Sequence, residues 1–290
     1  MDISGCYTYY LCKHSISFMN ERIRFQVLAC CLLIPFVLIN SCKKKEDPIP
    51  ASPSGTISFL VDHQVMGQPL KFNELIYTNA AGNMYMVTDL MYFISDITFY
   101  RNDGSQKVID EIKDIFYINE NIPETKTIQF YDKIPTGNYD SISFIFGIPE
   151  AKNKSFIYSN PPEVLMGWPE VLGGGYHYLM MNGKWKDTTG TDMPFNFHLG
   201  IGQLYKGTGY NVDSIYAFVQ NYFTVSLPES SFQLTDQQEL TFRLTMNIEK
   251  WFEGPHVYDH NYWGGAIMQK QPAIQMAKEN GWDVFSIDKL

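Results

Sequence analysis

From about residue 56 onward, apolar and polar residues alternate at period two far more often than at the helical period. In Glu239-Leu240-Thr241-Phe242-Arg243-Leu244-Thr245-Met246-Asn247-Ile248-Glu249 every second residue is apolar, which gives an extended chain one core face and one solvent face. The same alternation predicts strands at 57–61, 139–146 and 193–199. Longer aromatic runs at 90–100 and 214–227 predict more fully buried strands. Chain reversals fall where turn chemistry favours them, at Asn102-Asp103-Gly104, Pro135-Thr136-Gly137-Asn138 and Gly207-Thr208-Gly209. Only Pro272 to Asn280 reads as helix, with Pro at its first turn and Gly281 as the residue past its end. Short strands punctuated in this way predict an all-β chain, an antiparallel β-sandwich with a short C-terminal helix.

The first 55 residues follow another logic. Arg22 and Arg24 precede an apolar run, Val27 to Ile39, which is followed by Asn40-Ser41-Cys42. This is the layout of a secretory signal, and the run falls short of the ~20 residues of a membrane-spanning helix. Residues 1–18 do not fit a signal, whereas Met19-Asn20-Glu21-Arg22 begins one normally, so translation is expected to start at Met19. Cys42 at the break resembles the lipobox cysteine of bacterial lipoproteins, which is diacylated and becomes the first mature residue. The next stretch, Lys43 to Gly55, is charged and then rich in Pro and Ser, a composition that buries nothing and reads as a tether. Its acidic pair, Glu46-Asp47, resembles the surface-export signal of some outer-membrane lipoproteins. The expected organisation is a signal peptide over 1–41, a lipidated cysteine and tether over 42–55, and one β domain over 56–290. The expected location is the cell envelope, on the outer membrane, facing the periplasm or the surface.

Composition narrows the partners. Without the leader's three basic and two acidic residues, the chain's 22 Lys and Arg fall to 19 and its 31 Asp and Glu to 29. An acidic chain has no basic stripe to displace counterions from phosphates, so nucleic acid is excluded as a partner and a cation fits better. All five cysteines, at 6, 12, 30, 31 and 42, precede the β domain, which therefore folds without disulfides.

Five histidines remain in the mature chain: His63, His177, His198, His256 and His260. No HExxH or cysteine-based zinc pattern is present. His256 and His260 have the spacing of one helix face, but the surrounding Gly, Pro and turn formers read as loop, where that spacing loses its meaning. His198 shares a strand face with Pro194 and Asn196, opposite Phe195, Phe197 and Leu199; it is either a surface residue or an inward-facing polar group of a cleft. There is no G-x-S-x-G elbow, and no Ser near a His has a spaced acidic partner in recognisable context, so no catalytic residue is assigned and an enzyme is not expected.

Three blocks carry a resemblance: residues 74–104 (ELIYTNAAGNMYMVTDLMYFISDITFYRNDG), 166–183 (MGWPEVLGGGYHYLMMNG) and 195–200 (FNFHLG). In this order they resemble MbnP-like proteins, secreted or lipid-anchored β proteins similar to the copper-binding partners encoded beside methanobactin genes. The resemblance runs from about Thr56 to Ser286. It implies extracytoplasmic copper binding by two histidines and a kynurenine made by oxidising a tryptophan, and hence an oxidising partner of the haem-peroxidase type. The implied ligand set is His63, His198 and Trp168, with copper as cofactor. Imidazole suits both oxidation states of copper, and thioether suits Cu(I). The link from Trp168 to Tyr176 is longer and richer in Gly than the family's tryptophan-rich one. The alternative is a surface-anchored module without metal that binds glycans or a protein through Tyr258, Tyr262 and Trp263.

If Cys42 carries the lipid, Cys42→Ala should move the protein from the membrane fraction to the soluble fraction with its fold intact. Detergent-phase partitioning equal to that of the wild type would refute the anchor.

Overall fold

The computed structural model describes residues 52–290; the predicted signal segment, Cys42 and most of the tether lie outside them. Ten strands and two helices carry the architecture: β1 (Ser54–Val65), β2 (Met84–Arg101), β3 (Gly137–Phe146), β4 (Leu179–Lys186), β5 (Asp192–Leu199), β6 (Gly202–Tyr205), β7 (Ile215–Val219), β8 (Phe223–Leu227), β9 (Glu239–Asn247) and β10 (Phe285–Lys289), with α1 (His260–Trp263) and α2 (Gln271–Asn280). β1 begins two residues before the expected boundary, because Ser54 and Gly55 pair with Pro135 and Ile134.

Two sheets form the sandwich. The larger runs β5-β4-β2-β3-β8 with antiparallel neighbours throughout, and the smaller runs β10-β9-β1. Short strands extend both, among them Ile115–Asn119 beside β2 and Thr127–Gln129 beside β1. One pairing departs from the antiparallel expectation. β1 lies parallel to β9, in register from Thr56 opposite Glu239 to Gln64 opposite Asn247. A parallel pair needs a long crossover, and here most of the domain is that crossover.

The predicted alternation decides which faces meet. Phe59 and Phe242 of the small sheet meet Phe99 and Phe232 of the large one edge to face, with ring centroids 5.3–6.5 Å apart. Further along, Tyr92, Phe146, Trp251 and Phe285 continue this aromatic interior. Such pairs contribute about 0.5–1.5 kcal/mol each beyond their area burial. The outer face of the large sheet carries a partial third layer. There Tyr158 stacks on Phe93 at 5.8 Å and Tyr176 closes over both rings.

Several sequence expectations need correction. The 214–227 run is two strands, because it breaks at Gln220-Asn221-Tyr222. The first piece, β7, pairs only with β6 in a small separate hairpin and leaves Tyr216 and Phe218 exposed. The 239–249 strand ends at Asn247, and Ile248–Phe252 turns as a 3-10 helix. The tail is not alone in being helical: α1 forms one turn, with the Asp259 carboxylate accepting from the Asn261 N–H as its cap. Gly281 does not end α2 by a left-handed conformation, since its φ is −60° and the chain continues into another turn. Its small size matters instead: a Cβ there would overlap the Phe223 ring. No helix among the described residues is long and apolar enough to cross a membrane.

Gly281→Ala should therefore destabilise the domain by about 1–3 kcal/mol, the usual cost of overpacking a filled site. Denaturant unfolding measures it, and an unchanged midpoint would show that Phe223 yields freely.

Candidate metal centre

A tight hairpin places the residues of interest. After the 3-10 turn Glu163–Met166, the chain passes Gly167 and Trp168, makes a second turn at Glu170–Leu172, and returns through Gly173-Gly174-Gly175. The returning glycines have φ of +119°, +69° and +77°, the left-handed region that glycine enters without steric cost. Gly167 then bridges Tyr176, and the Trp168 N–H donates to the Gly175 carbonyl at 2.8 Å. The next rung brings His177 beside Met166, whose carbonyl accepts the His177 N–H at 2.7 Å. Trp168 and His177 thus leave the hairpin as neighbours, their rings 4.6 Å apart.

β5 supplies the floor. Phe197 and Leu199 point into the sandwich, so His198 faces outward, and Gly200 follows it just past the strand end. The indole of Trp168 lies on Gly200, where a Cβ would meet its ring at 2.5 Å, and its N–H donates to the Leu172 carbonyl at 3.0 Å. His198 and His177 stand nearly perpendicular, with centroids 5.0 Å apart. The hairpin covers all three rings, leaving Trp168 2%, His177 5% and His198 7% exposed. His198 is thus neither a surface residue nor part of an open cleft.

The hydrogen bonds define the protonation of both imidazoles. His177 Nδ1 lies 2.9 Å from the Met166 carbonyl oxygen, which can only accept, so the ring proton sits on Nδ1. His198 Nε2 lies 2.7 Å from Asn182 Oδ1 and is likewise the protonated nitrogen. His177 Nε2 and His198 Nδ1 consequently bear lone pairs, and both are buried without a hydrogen-bond partner. Burial pushes His177 down to about 4, against the opposing hydrogen bonds to Met166 and Gly167. It pushes His198 down to about 3, helped by the neighbouring His177. Both rings stay neutral at physiological pH and keep their lone pairs.

The other predicted residues lie elsewhere. His63 on β1 faces the sandwich interior, with Nδ1 2.5 Å from Glu120 Oε2 and Nε2 3.0 Å from the Tyr92 hydroxyl. Tyr92, Leu179 and Leu199 stand side by side across β2, β4 and β5 on the inner face. His198, one residue from Leu199, is on the outer face, so the large sheet separates it from His63. Trp168 and His198 are thus brought together, with His177 between them, and His63 is not. Glu120 also accepts from Lys126 at 2.9 Å. Burial alone would raise its pKa, but the hydrogen bonds from His63 and Lys126 outweigh that and lower it.

His256 and His260 do not share an environment either. His256 is paired with Glu279 at the surface. His260 is fully buried among Trp185, Phe195, Phe252 and Tyr258, where desolvation pushes it down to about 3. Of the aromatics considered for sugar stacking, Tyr258 is buried, Trp263 is half-buried, and only Tyr262 is open, at 76%. Among the described residues no three His, Cys, Asp or Glu side chains are grouped to hold a metal. A metal held at the histidine pair would need a donor of another kind.

A two-sheet β-sandwich bearing a buried histidine pair and a tryptophan on its outer face defines the class. The family model of MbnP matches residues 54–269, and the chain belongs to the MbnP family. Among solved structures, MbnP from Methylosinus trichosporium is similar, with a TM-score of 0.51 over 81% of this chain and 99% of that one. At 12% identity that likeness concerns the fold. No curated protein matches.

The buried imidazoles make metal-free stability depend on pH. In the unfolded chain they titrate near the ordinary value of about 6.5. In the fold His177, His198 and His260 resist protonation down to about 4, 3 and 3. Their contribution is complete above the unfolded value and is lost as pH falls toward the folded ones. From pH 7 to 5 each should lower the free energy of unfolding by up to about 2 kcal/mol. Denaturant titration at several pH values reads the slope, and His198→Gln should reduce it by roughly a third. Stability flat between pH 7 and 5 would mean that these rings are not held neutral.

Proposed function

We propose that this protein binds copper outside the cytoplasm, at a centre built on His177 and His198, while anchored to the outer membrane through lipidated Cys42. The supporting observation is the pair of adjacent buried imidazoles whose unpartnered nitrogens both carry lone pairs. A ligating histidine ordinarily donates its other ring N–H to a carbonyl or carboxylate, which fixes the tautomer and orients the ring. Met166 and Asn182 do this here before any metal binds. Because both rings are already neutral, no proton has to leave when a metal arrives. Without a metal, two buried lone pairs go unsatisfied, at a cost of about 1–3 kcal/mol each.

Trp168 is the third member. Its contact with His177 places an oxidisable ring against the histidine pair. Adding two oxygen atoms across the indole C2–C3 bond cleaves it to N-formylkynurenine, and water then removes the formyl group as formate. The product is kynurenine, whose arylamine is a nitrogen donor outside the four usual ligand types. The two oxygen atoms would come from dioxygen, or from two molecules of hydrogen peroxide with release of two of water, activated by a partner of the haem-peroxidase type. His177 takes the place that the family resemblance implied for His63, whose nitrogens are engaged by Glu120 and Tyr92.

Copper at a free concentration about 100 times its dissociation constant should stabilise the fold by roughly 2.7 kcal/mol. His177→Ala and His198→Ala should each abolish that gain, whereas His63→Ala and His256→Ala should keep it while altering basal stability. Equal copper stabilisation in all four variants would reject the centre. In protein from the native host, peptide mass spectrometry should find a shift of about +4 Da on Trp168, one carbon exchanged for one oxygen, and none on Trp185, Trp251, Trp263 or Trp282.

A further inference from the structure

A pocket of about 350 Å³ opens where the β6–β7 hairpin meets the start of α2. The hairpin joins neither sheet. Two strands alone are marginally stable in water, so side chains must hold this pair in place. Amides do so. Gln203, 1% exposed, donates from Nε2 to the Leu172 carbonyl at 2.9 Å and accepts at Oε1 from the Tyr205 hydroxyl at 3.3 Å. Gln269 Nε2 donates to that same hydroxyl at 3.2 Å and to the Tyr210 carbonyl at 3.3 Å. Gln271 and Asn221 exchange amide hydrogen bonds at 3.0 and 3.1 Å. Tyr210 stands edge-on to Tyr205, with ring centroids 5.6 Å apart, and is 51% exposed. The network engages Gln269 through Nε2 and Tyr210 through its carbonyl. Gln269 Oε1 is left to accept, and the Tyr210 hydroxyl to donate or accept, toward a ligand. Gly207 and Gly209 rim the pocket at φ of +80° and +96°, with nothing within 4 Å of where a Cβ would lie.

The lining carries no charged side chain, although the chain has a net charge of −9. That decides the class of ligand. A phosphate, a carboxylate or a metal ion would find no countercharge in the walls. A wholly apolar ligand would cover the free amide and phenol groups without pairing them, which is costly. A neutral polyhydroxylated ring meets both demands. Its hydroxyls exchange hydrogen bonds with Gln269 and the phenol, and its C–H face lies on the tyrosine ring, which has an apolar body and a polar tip. We propose that this pocket binds a neutral sugar, the terminal pyranose of a glycan, with Tyr210 as the stacking platform and Gln269 as the acceptor for a ring hydroxyl. Gln203 and Tyr205 position these two. The volume falls within the range of about 300–1,000 Å³ usual for small-molecule sites. One side is open to solvent, so a single sugar should bind with a dissociation constant of about 1 mM. The pocket shares no residue with the histidine pair and does not depend on the copper reading. None of Tyr258, Tyr262 and Trp263 lines it.

The test uses the full chain with Cys42→Ala for solubility and no added metal. Saturation-transfer NMR is recorded with the methyl glycosides of glucose, galactose and N-acetylglucosamine, and with glucuronate as the charged control. At least one neutral glycoside should receive saturation on its ring C–H protons, and glucuronate should receive markedly less. Tyr210→Ala should abolish the transfer, Tyr210→Phe should retain it, and Gln269→Ala should weaken affinity at least about fivefold. Tyr262→Ala should bind as the wild type does. Equal melting temperatures would verify that each variant is folded. No transfer to any of the three neutral glycosides, equal transfer to glucuronate, or wild-type affinity in both Tyr210→Ala and Gln269→Ala would overturn the assignment. Binding lost in Tyr262→Ala and kept in Tyr210→Ala would overturn it too, by moving the sugar to the surface around α1.

Discussion

The carbonyl oxygen of Met166 accepts two hydrogen bonds from one residue, the backbone N–H and the ring Nδ1–H of His177. Most of the outer-face architecture depends on this pairing. The backbone bond closes the hairpin that carries Trp168 over Gly200, and the ring bond turns the imidazole so that its lone pair is on Nε2. Three consecutive glycines with positive φ are what the hairpin requires to return within so few residues. The long Gly-rich link therefore does not loosen the geometry around the tryptophan. It closes a cover over two imidazoles, and desolvation under that cover keeps them neutral.

The strand system was legible because period-two alternation is a local property, and an alternating segment has one way to bury its apolar face. Residues 193–199 illustrate both the reach and the limit. Alternation correctly set His198 opposite Phe197 and Leu199, but whether its side met water depended on a hairpin some twenty residues earlier in the chain. His177 sits where the backbone bends before β4, so no period assigned it a face. The only available signal was its membership in the 166–183 block, between Tyr176 and Met180. The surroundings of His63 were illegible for a related reason: a histidine at alternating spacing can face either side of a sheet, and its partners Glu120 and Tyr92 come from distant segments. His260 lies in a segment whose composition indicates loop, and nothing local reveals that five aromatic rings enclose it.

Two kinds of small residue do different work here, and composition alone does not separate them. Gly173, Gly174 and Gly175 are present for their backbone angles. Gly200 and Gly281 have no such need; they leave room for a ring, Trp168 in one case and Phe223 in the other. In the Phe-His-Leu-Gly block the histidine and the glycine therefore act as a unit on one face of β5. One presents a nitrogen, and the other lets the indole approach closely enough to cover it.

The parallel pairing of β1 with β9 has a mechanical consequence. β1 is the first strand of the domain and lies inside the small sheet, with β9 on one side and the short strands Gln68–Pro69, Thr127–Gln129 and Ile134–Pro135 on the other. A pull on the chain ahead of Ser54 travels along the strand axis and is shared by hydrogen bonds on both flanks at once. Such loading is shear, in which many bonds must fail together, and not unzipping, in which they fail singly. A load applied to the domain through its N-terminal side would therefore meet a strand bonded on both edges and be spread over the small sheet.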